Sequence, residues 1–244
     1  MVLIIGHRGA RNLWPENSLE GFERTRDLGV DAVEFDVQLA RDSELVVIHD
    51  PTFERTTLAS GPVGERTLAE AAAVELRDAD GENVPTLDQV LDVYRGSGVE
   101  LHIEIKTDAL GRPYEGLEKR LLDAIAGRKL AQQAVVTSFV PEILETVRRL
   151  SPNQRVLGSL DRRSAEIFGG LPAALDRFAV IGNCMVAVEK GLLTDSLDVC
   201  LRRVGGDHLG AWVPNDADDI VQWLARPIRQ ITTDRPDLAL ALRR

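Results

Sequence analysis

Four short apolar runs constrain this chain most, because each delivers a titratable or cationic side chain at or near its C-terminal end. Residues 2–6 lead into His7 and Arg8, and residues 45–48 lead into His49 and Asp50. Residues 32–37 carry Glu34 and Asp36, and residues 101–105 carry His102 and Glu104 and lead to Lys106. Runs this short and this rich in Val and Ile read as buried strands. A buried charge is unfavourable unless it is paired or binds a metal. Four strands of this kind point to one shared site more readily than to four accidents of packing.

The rest of the chain alternates β-rich runs with helical patterns. Residues 18–28 place Leu19, Phe22, Thr25 and Arg26 at near-helical spacing, with Asn17 or Ser18 to cap the start and Gly29 to end it. Further strands are expected at 99–106, 134–138, 155–159, 178–181, 210–213 and 229–233. Helices are expected at 113–125, 141–150, 171–176, 195–204 and 216–225. Such alternation predicts a parallel sheet with helices outside it, and there are enough units to close an eight-stranded α/β barrel, the (β/α)8 TIM barrel, as one domain over 1–244.

Two stretches break the pattern. Only residues 38–44 separate the Glu34/Asp36 strand from the His49 strand, a length that favours a hairpin over a parallel crossover. A hairpin would carry His49 away from the end where Asp36 emerges, so a parallel pair with a helix-free crossover is expected on functional grounds. Residues 51–85, with Gly61, Pro62, Gly64 and Gly81, read as a small insertion over the C-terminal face of the barrel, where long loops serve as lids or binding elements.

Composition narrows the partners. The 244 residues are 44% apolar and 28% charged, with a net charge of −10 and no basic run. That disfavours nucleic acid or an anionic membrane surface as a partner, and leaves any anionic substrate to local cations. Cys184 and Cys200 read as reduced buried thiols. Neither a signal peptide nor a membrane-spanning stretch is visible, which predicts a soluble cytoplasmic protein without stable membrane association. A homo-oligomer is left open.

Strand residues two apart share a face, so Glu34 joins Asp36, and His102 joins Glu104 and Lys106. Glu34, Asp36 and Glu104 converging at a barrel mouth would form a hard oxygen site suited to Mg²⁺ or Ca²⁺. The competing reading pairs these acids with Arg8 and Lys106 as a buried ion network, which rarely offsets its own desolvation. His7 and His49 are a candidate acid/base pair, since imidazole titrates near neutrality. Arg8 and Lys106 are the natural anchors for an anionic group. His102, deeper on its strand, reads as a core or supporting residue, and His208 as exposed. Serine or cysteine nucleophiles and nucleotide cofactors find no motif here.

Taken in order, these residues resemble a known family. His7-Arg8-Gly9-Ala10, Pro15-Glu16-Asn17-Ser18, Gly29 through Val37, Val47 through Thr52, Arg55-Thr56-Thr57 and Val84 through Leu87 look like the glycerophosphodiester phosphodiesterases. The likeness continues through Ile103-Glu104-Ile105-Lys106, Ser138-Phe139, Trp212 through Asn215 and Thr232 through Pro236, and only about residues 160–190 lack a counterpart. The resemblance implies a distorted barrel, a divalent metal (Mg²⁺ or Ca²⁺) on Glu34, Asp36 and Glu104, and His7 and His49 as general acid and base. It further implies phosphate binding by Arg8 and Lys106, and Trp212 as an apolar wall of the pocket. Asn17 and Asn215 would fix loops at the mouth. Departures are Ser18 for threonine, a turn at Asp42-Ser43-Glu44 without the usual glycine, and Pro214 for valine.

The reaction implied is hydrolysis of a small-molecule glycerophosphodiester to glycerol 3-phosphate and an alcohol. Two alternatives keep the fold. One is a sphingomyelinase D-like phospholipase that can release a cyclic phosphate. The other is a non-catalytic phosphodiester-binding barrel.

Overall fold

A computed structural model describes residues 1–243. The strands are β1 (Leu3–His7), β2 (Ala32–Leu39), β3 (Leu45–Val47), β4 (Glu100–Ile105), β5 (Ala134–Ser138), β6 (Arg155–Leu160), β7 (Cys184–Glu189), β8 (Leu209–Trp212) and β9 (Gln230–Thr233). The helices are α1 (Leu19–Asp27), α2 (Leu68–Ala71), α3 (Leu87–Val93), α4 (Leu117–Gly127) and α5 (Pro141–Leu150). They continue with α6 (Arg162–Ile167), α7 (Leu171–Ala179), α8 (Lys190–Val204), α9 (Ala217–Leu224) and α10 (Pro236–Leu242). Eight parallel strands run in the order β1-β9-β8-β7-β6-β5-β4-β2, and β2 pairs back onto β1 to close the (β/α)8 TIM barrel.

Alternation along each strand separates two interiors. Val33, Phe35, Val37, Leu101, Ile103 and Ile105 belong to the apolar layer between barrel and helices. The residues interleaved with them, Glu34, Asp36, His102 and Glu104, therefore point into the barrel. On the opposite wall Val135, Leu157, Met185 and Ala187 pack together against Trp212, with Thr137 and Ser159 beside them as uncharged polar groups. The barrel lumen is thus charged on the β1, β2 and β4 side and mainly apolar on the β5 to β8 side.

The expected parallel pairing of the His49 strand is wrong. β3 runs antiparallel to β2, with Val37 opposite Val47 and Leu39 opposite Leu45. β2 does not stop at Asp36 but extends three residues beyond it, so the hairpin rises above the rim and turns back. The amide of Ile48 bonds to the Asp36 carbonyl at 3.1 Å, and the return journey brings His49 to the mouth. The turn is closed by Ala40 N–H to Glu44 O (2.8 Å), with Ser43 at φ 64°.

A second correction concerns residues 178–181. They are not a strand: Phe178 lies in the last turn of α7, and the next barrel strand, the sixth in chain order, is β7, six residues further on. Phe178 is buried with its ring flat on β6, and a Cβ at Gly158 would meet that ring at 2.3 Å. Glycine is needed there because the helix approaches the strand closely.

Ser18 caps α1, accepting from the amide of Gly21. The insertion at 51–85 carries its own apolar cluster around Phe53, Val63, Val74, Leu76 and Val84, seated on Val46 and Ile48 of the hairpin. Glu82 ties it to the start of α1 through the amides of Leu19 (2.9 Å) and Glu20 (3.0 Å). Cys184 and Cys200 are buried free thiols. Among the described residues no helix is long and apolar enough to cross a membrane.

Candidate active site

The strand ends bring together all eight residues expected from the sequence. A cavity of about 300 Å³ opens at the C-terminal face, with His7, Arg8, Glu34, His49, Glu104 and Lys106 on one side and Phe139, Leu157, Ala187 and Trp212 on the other. Asp36 is fully buried in the same carboxylate cluster and does not line the cavity. None of residues 51–85 lines it either, so the insertion is not a wall of this well.

Each imidazole is fastened at Nδ1. His7, ending β1, meets Asp234 Oδ1 at 2.5 Å, and His49, just past β3, meets Asp50 Oδ1 at 2.6 Å. A carboxylate at Nδ1 places the proton there and turns Nε2 to the well. Both carboxylates are themselves held. Asp234 accepts from Arg11 Nε (2.8 Å) and Asn215 Nδ2 (2.7 Å), and Asp50 accepts from Arg55 Nε (2.6 Å). Burial pushes the His7 pKa down, only partly offset by the bond to Asp234. Asp50 and Asp234 both sit below the usual carboxylate range. The His49 bond does this for Asp50, while for Asp234 the His7 and Arg11 partners overcome its burial.

Glu34, Asp36 and Glu104 each offer an oxygen, and all three oxygens lie within 4.8 Å of one another. Burial and the two neighbouring carboxylates push Glu34 well above the usual range. Asp36 goes the other way: burial opposes its charge, but Lys106, Arg8 and His49, with a bond from Asn17 Nδ2 (3.1 Å), hold it low. Burial likewise works against the Lys106 ammonium, yet Glu104 and Asp36 keep its pKa raised. Lys106 Nζ bonds to Glu104 at 2.6 Å and stands 3.3 Å from Asp36.

The closed ion network weighed against a metal site is incomplete. Glu34 Oε1 and Asp36 Oδ1 are buried without a hydrogen bond, and so is Arg8 Nε, 3.5 Å from Asp36. Among the described residues the one basic side chain in ion-pair range of Glu34 is His7, with Nε2 at 3.7 Å, and it carries charge only when protonated. Buried acceptors left without donors in a cluster of three carboxylates fit a hard divalent cation such as Mg²⁺ or Ca²⁺.

Trp212 donates from Nε1 to the Ala187 carbonyl (3.1 Å) and meets Phe139 edge to face at 5.8 Å, forming the apolar wall. His102 is buried and bonded to Glu100 at 2.7 Å, although it also reaches the cavity floor. His208 is half-buried, not exposed, and lies outside the cavity. Asn17 and Asn215 do not touch the cavity; each fixes a carboxylate instead. Asp50, Asp234, Arg11 and Glu16 were not singled out from the sequence. The His49-Asp50 adjacency was a usable signal, whereas Asp234 lies 227 residues from His7 and meets it only because β9 closes the barrel beside β1.

Comparison with known proteins agrees with this geometry. The sequence model of the glycerophosphoryl diester phosphodiesterase family matches residues 7–238. A glycerophosphodiester phosphodiesterase of Caldanaerobacter subterraneus subsp. tengcongensis is 35% identical over 159 residues, covering 63% of this chain and 65% of that relative's length. A crystal structure from Agrobacterium tumefaciens, provisionally described as a glycerophosphoryl diester phosphodiesterase, superposes with a TM-score of 0.88 at 26% identity, covering 100% of this chain and 97% of that one. A phosphodiesterase from Oleispira antarctica, in complex with the product sn-glycerol-3-phosphate, shares the fold with a TM-score of 0.80 at 22% identity, over 98% and 96% of the two chains. The chain belongs to the glycerophosphoryl diester phosphodiesterase family.

Proposed function

We propose that this protein hydrolyses small glycerophosphodiesters to glycerol 3-phosphate and an alcohol, using His7 and His49 as its proton-transfer pair. The observation that carries this reading is two imidazoles, each locked at Nδ1 by a carboxylate, facing one well that also holds a carboxylate cluster and the cations Arg8, Arg11 and Lys106. Family membership and the product-bound relative support the substrate class.

Glu34, Asp36 and Glu104 would hold the divalent metal. When bound, that cation would neutralise charge on the phosphoryl oxygens, the largest catalytic contribution in sites of this type. Arg8 and Lys106 add positive charge from the chain itself and orient the phosphodiester. One imidazole takes the proton from the attacking hydroxyl at Nε2, and the other gives its proton to the departing alcohol oxygen. Trp212 and Phe139 pack the carbon atoms of the substrate and exclude water from that side.

The test is release of glycerol 3-phosphate from glycerophosphocholine with Mg²⁺, with Ca²⁺ and with EDTA. Release that depends on either metal supports the reading. Folded protein that turns over no glycerophosphodiester with either metal would sink it.

A further inference from the structure

Three arginines beside the well share one acid. Glu16 accepts from Arg55 through both oxygens, at 2.7 and 3.0 Å, and from Arg8 Nη1 at 3.1 Å, while Arg11 Nη1 stands 3.7 Å away. Its side chain is only 11% exposed. Arg55 also bonds to Asp50, the partner of His49, and Arg11 bonds to Asp234, the partner of His7. A guanidinium is a rigid planar fork, so the placement of one carboxylate on it restricts the placement of the other. Contacts therefore lead from His7 through Asp234, Arg11, Glu16, Arg55 and Asp50 to His49, all of them hydrogen bonds except the Arg11–Glu16 step, which is an ion pair at 3.7 Å.

We propose that Glu16 is a positioning residue that joins the two histidine arms into a single frame through Arg11 and Arg55. The inference rests on the reading above, in which both histidines handle protons, and adds that neither is aligned independently of the other. The elements joined are remote in sequence: Asp234 follows β9, Arg11 and Glu16 lie in the loop after β1, and Arg55 comes from the insertion. This gives the insertion a role although it does not line the well: its Arg55 carries Asp50 on one edge of the fork and Glu16 on another. Three acids against three arginines leave the frame neutral, and burial of Glu16 is outweighed by the Arg55 bond and the Arg8 charge, which hold its pKa low. Isolated surface ion pairs align little; this set is different because its central acid is largely buried and held through both oxygens by the Arg55 fork, with a further bond from Arg8.

The experiment uses full-length protein with ¹⁵N-labelled histidine, read by NMR of the four imidazoles alongside kcat and KM for glycerophosphocholine. E16Q keeps the shape and removes the charge. It is expected to move the ring signals of both His7 and His49 while leaving His102 and His208 in place, and to lower kcat more than it raises KM. R55A is expected to disturb His7 as well as His49, and R11A to disturb His49 as well as His7. Their losses in kcat then fail to multiply by a factor of about 5 to 20, as for residues in one network, and multiply simply once Glu16 is replaced. If R11A moves only His7, R55A moves only His49, and the losses multiply in the presence of Glu16, the arms are independent and the proposal is overturned. Should E16Q not fold, the two arginine variants carry the same cross-response test. Cross-response without any wild-type turnover would keep the frame and remove the phosphodiesterase reading; turnover without cross-response would do the reverse.

Discussion

At the scale of single residues, the site is a contest between desolvation and charge that different neighbours settle differently. Asp36 and Glu34 stand two apart on one strand, yet Lys106, Arg8 and Asn17 keep the first ionised while the second sits high beside its fellow carboxylates. A cation delivered to the three oxygens would remove that repulsion, so binding is stabilising for the whole fold. At about a hundredfold excess over its Kd, Mg²⁺ or Ca²⁺ is expected to add about 2.7 kcal/mol to unfolding. A thermal melt with and without EDTA reads this, and E34Q is expected to lose most of the gain; an equal gain in E34Q would place the cation elsewhere. The imidazoles answer to a different test. H7A and H49A are each expected to lower kcat by a factor on the order of 10² to 10⁴, with the metal-induced rise in melting temperature intact. A variant within a few-fold of wild type would not be a proton-transfer residue.

At the scale of elements, the hairpin of β2 and β3 shows where local reasoning reached and where it stopped. The length of residues 38–44 pointed to a hairpin, and the physical rule about connections was right. What was not legible was the extent of β2 beyond Asp36, which depends on pairing above the rim and lets an antiparallel return bring His49 back to the mouth. The run at 178–181 failed for a related reason. Short apolar runs fit strand and helix alike, and only the close approach of Phe178 to Gly158 decides between them. The residues at the strand ends were legible because alternation and burial are local properties. Asp234 was not, because its contact with His7 exists only after the barrel closes. Ser43 offers a clean test of the turn. It is exposed and takes φ 64°, a conformation that is strained for a side chain and free for glycine. S43G is expected to raise stability by about 0.5–1 kcal/mol against the ~1–2 kcal/mol left-handed penalty, the remainder going to glycine's greater unfolded entropy. Denaturant melts at constant m-value check this, and a loss of stability would mean that the turn relies on the Ser43 side chain.

At the scale of the whole molecule, the two ends of the barrel divide labour: chemistry gathers where the strands end, and closure where they begin. At the lower end Glu100, first in β4, accepts from His102 Nε2 (2.7 Å), from Arg155 Nη1 at the start of β6 (2.5 Å), and from Arg229 Nη2 just before β9 (2.9 Å). One acid thus clamps three strands around the lumen. Burial alone would raise its pKa, but His102, Arg229 and Arg155 together pull it well below its ordinary value near 4.5. A carboxylate held lower in the folded than in the unfolded chain contributes stability that is complete above its unfolded pKa. That contribution is lost as pH falls toward the folded value. The clamp is therefore an acid-labile part of the barrel. Removing the charge in E100Q is expected to cost about 2–3 kcal/mol at pH 7, somewhat below the figure for breaking a fully buried pair because Arg155 is partly exposed. It is also expected to flatten the fall in stability between about pH 5 and pH 3, since one of the groups that drives it is gone. Asp36, Asp50 and Asp234 fall in the same window and are common to both proteins, so the difference between the two curves isolates Glu100. Urea melts of wild type and E100Q at each pH measure that difference. It is expected to narrow as the pH drops, whereas a constant gap would mean that Glu100 acts through packing and not through its charge.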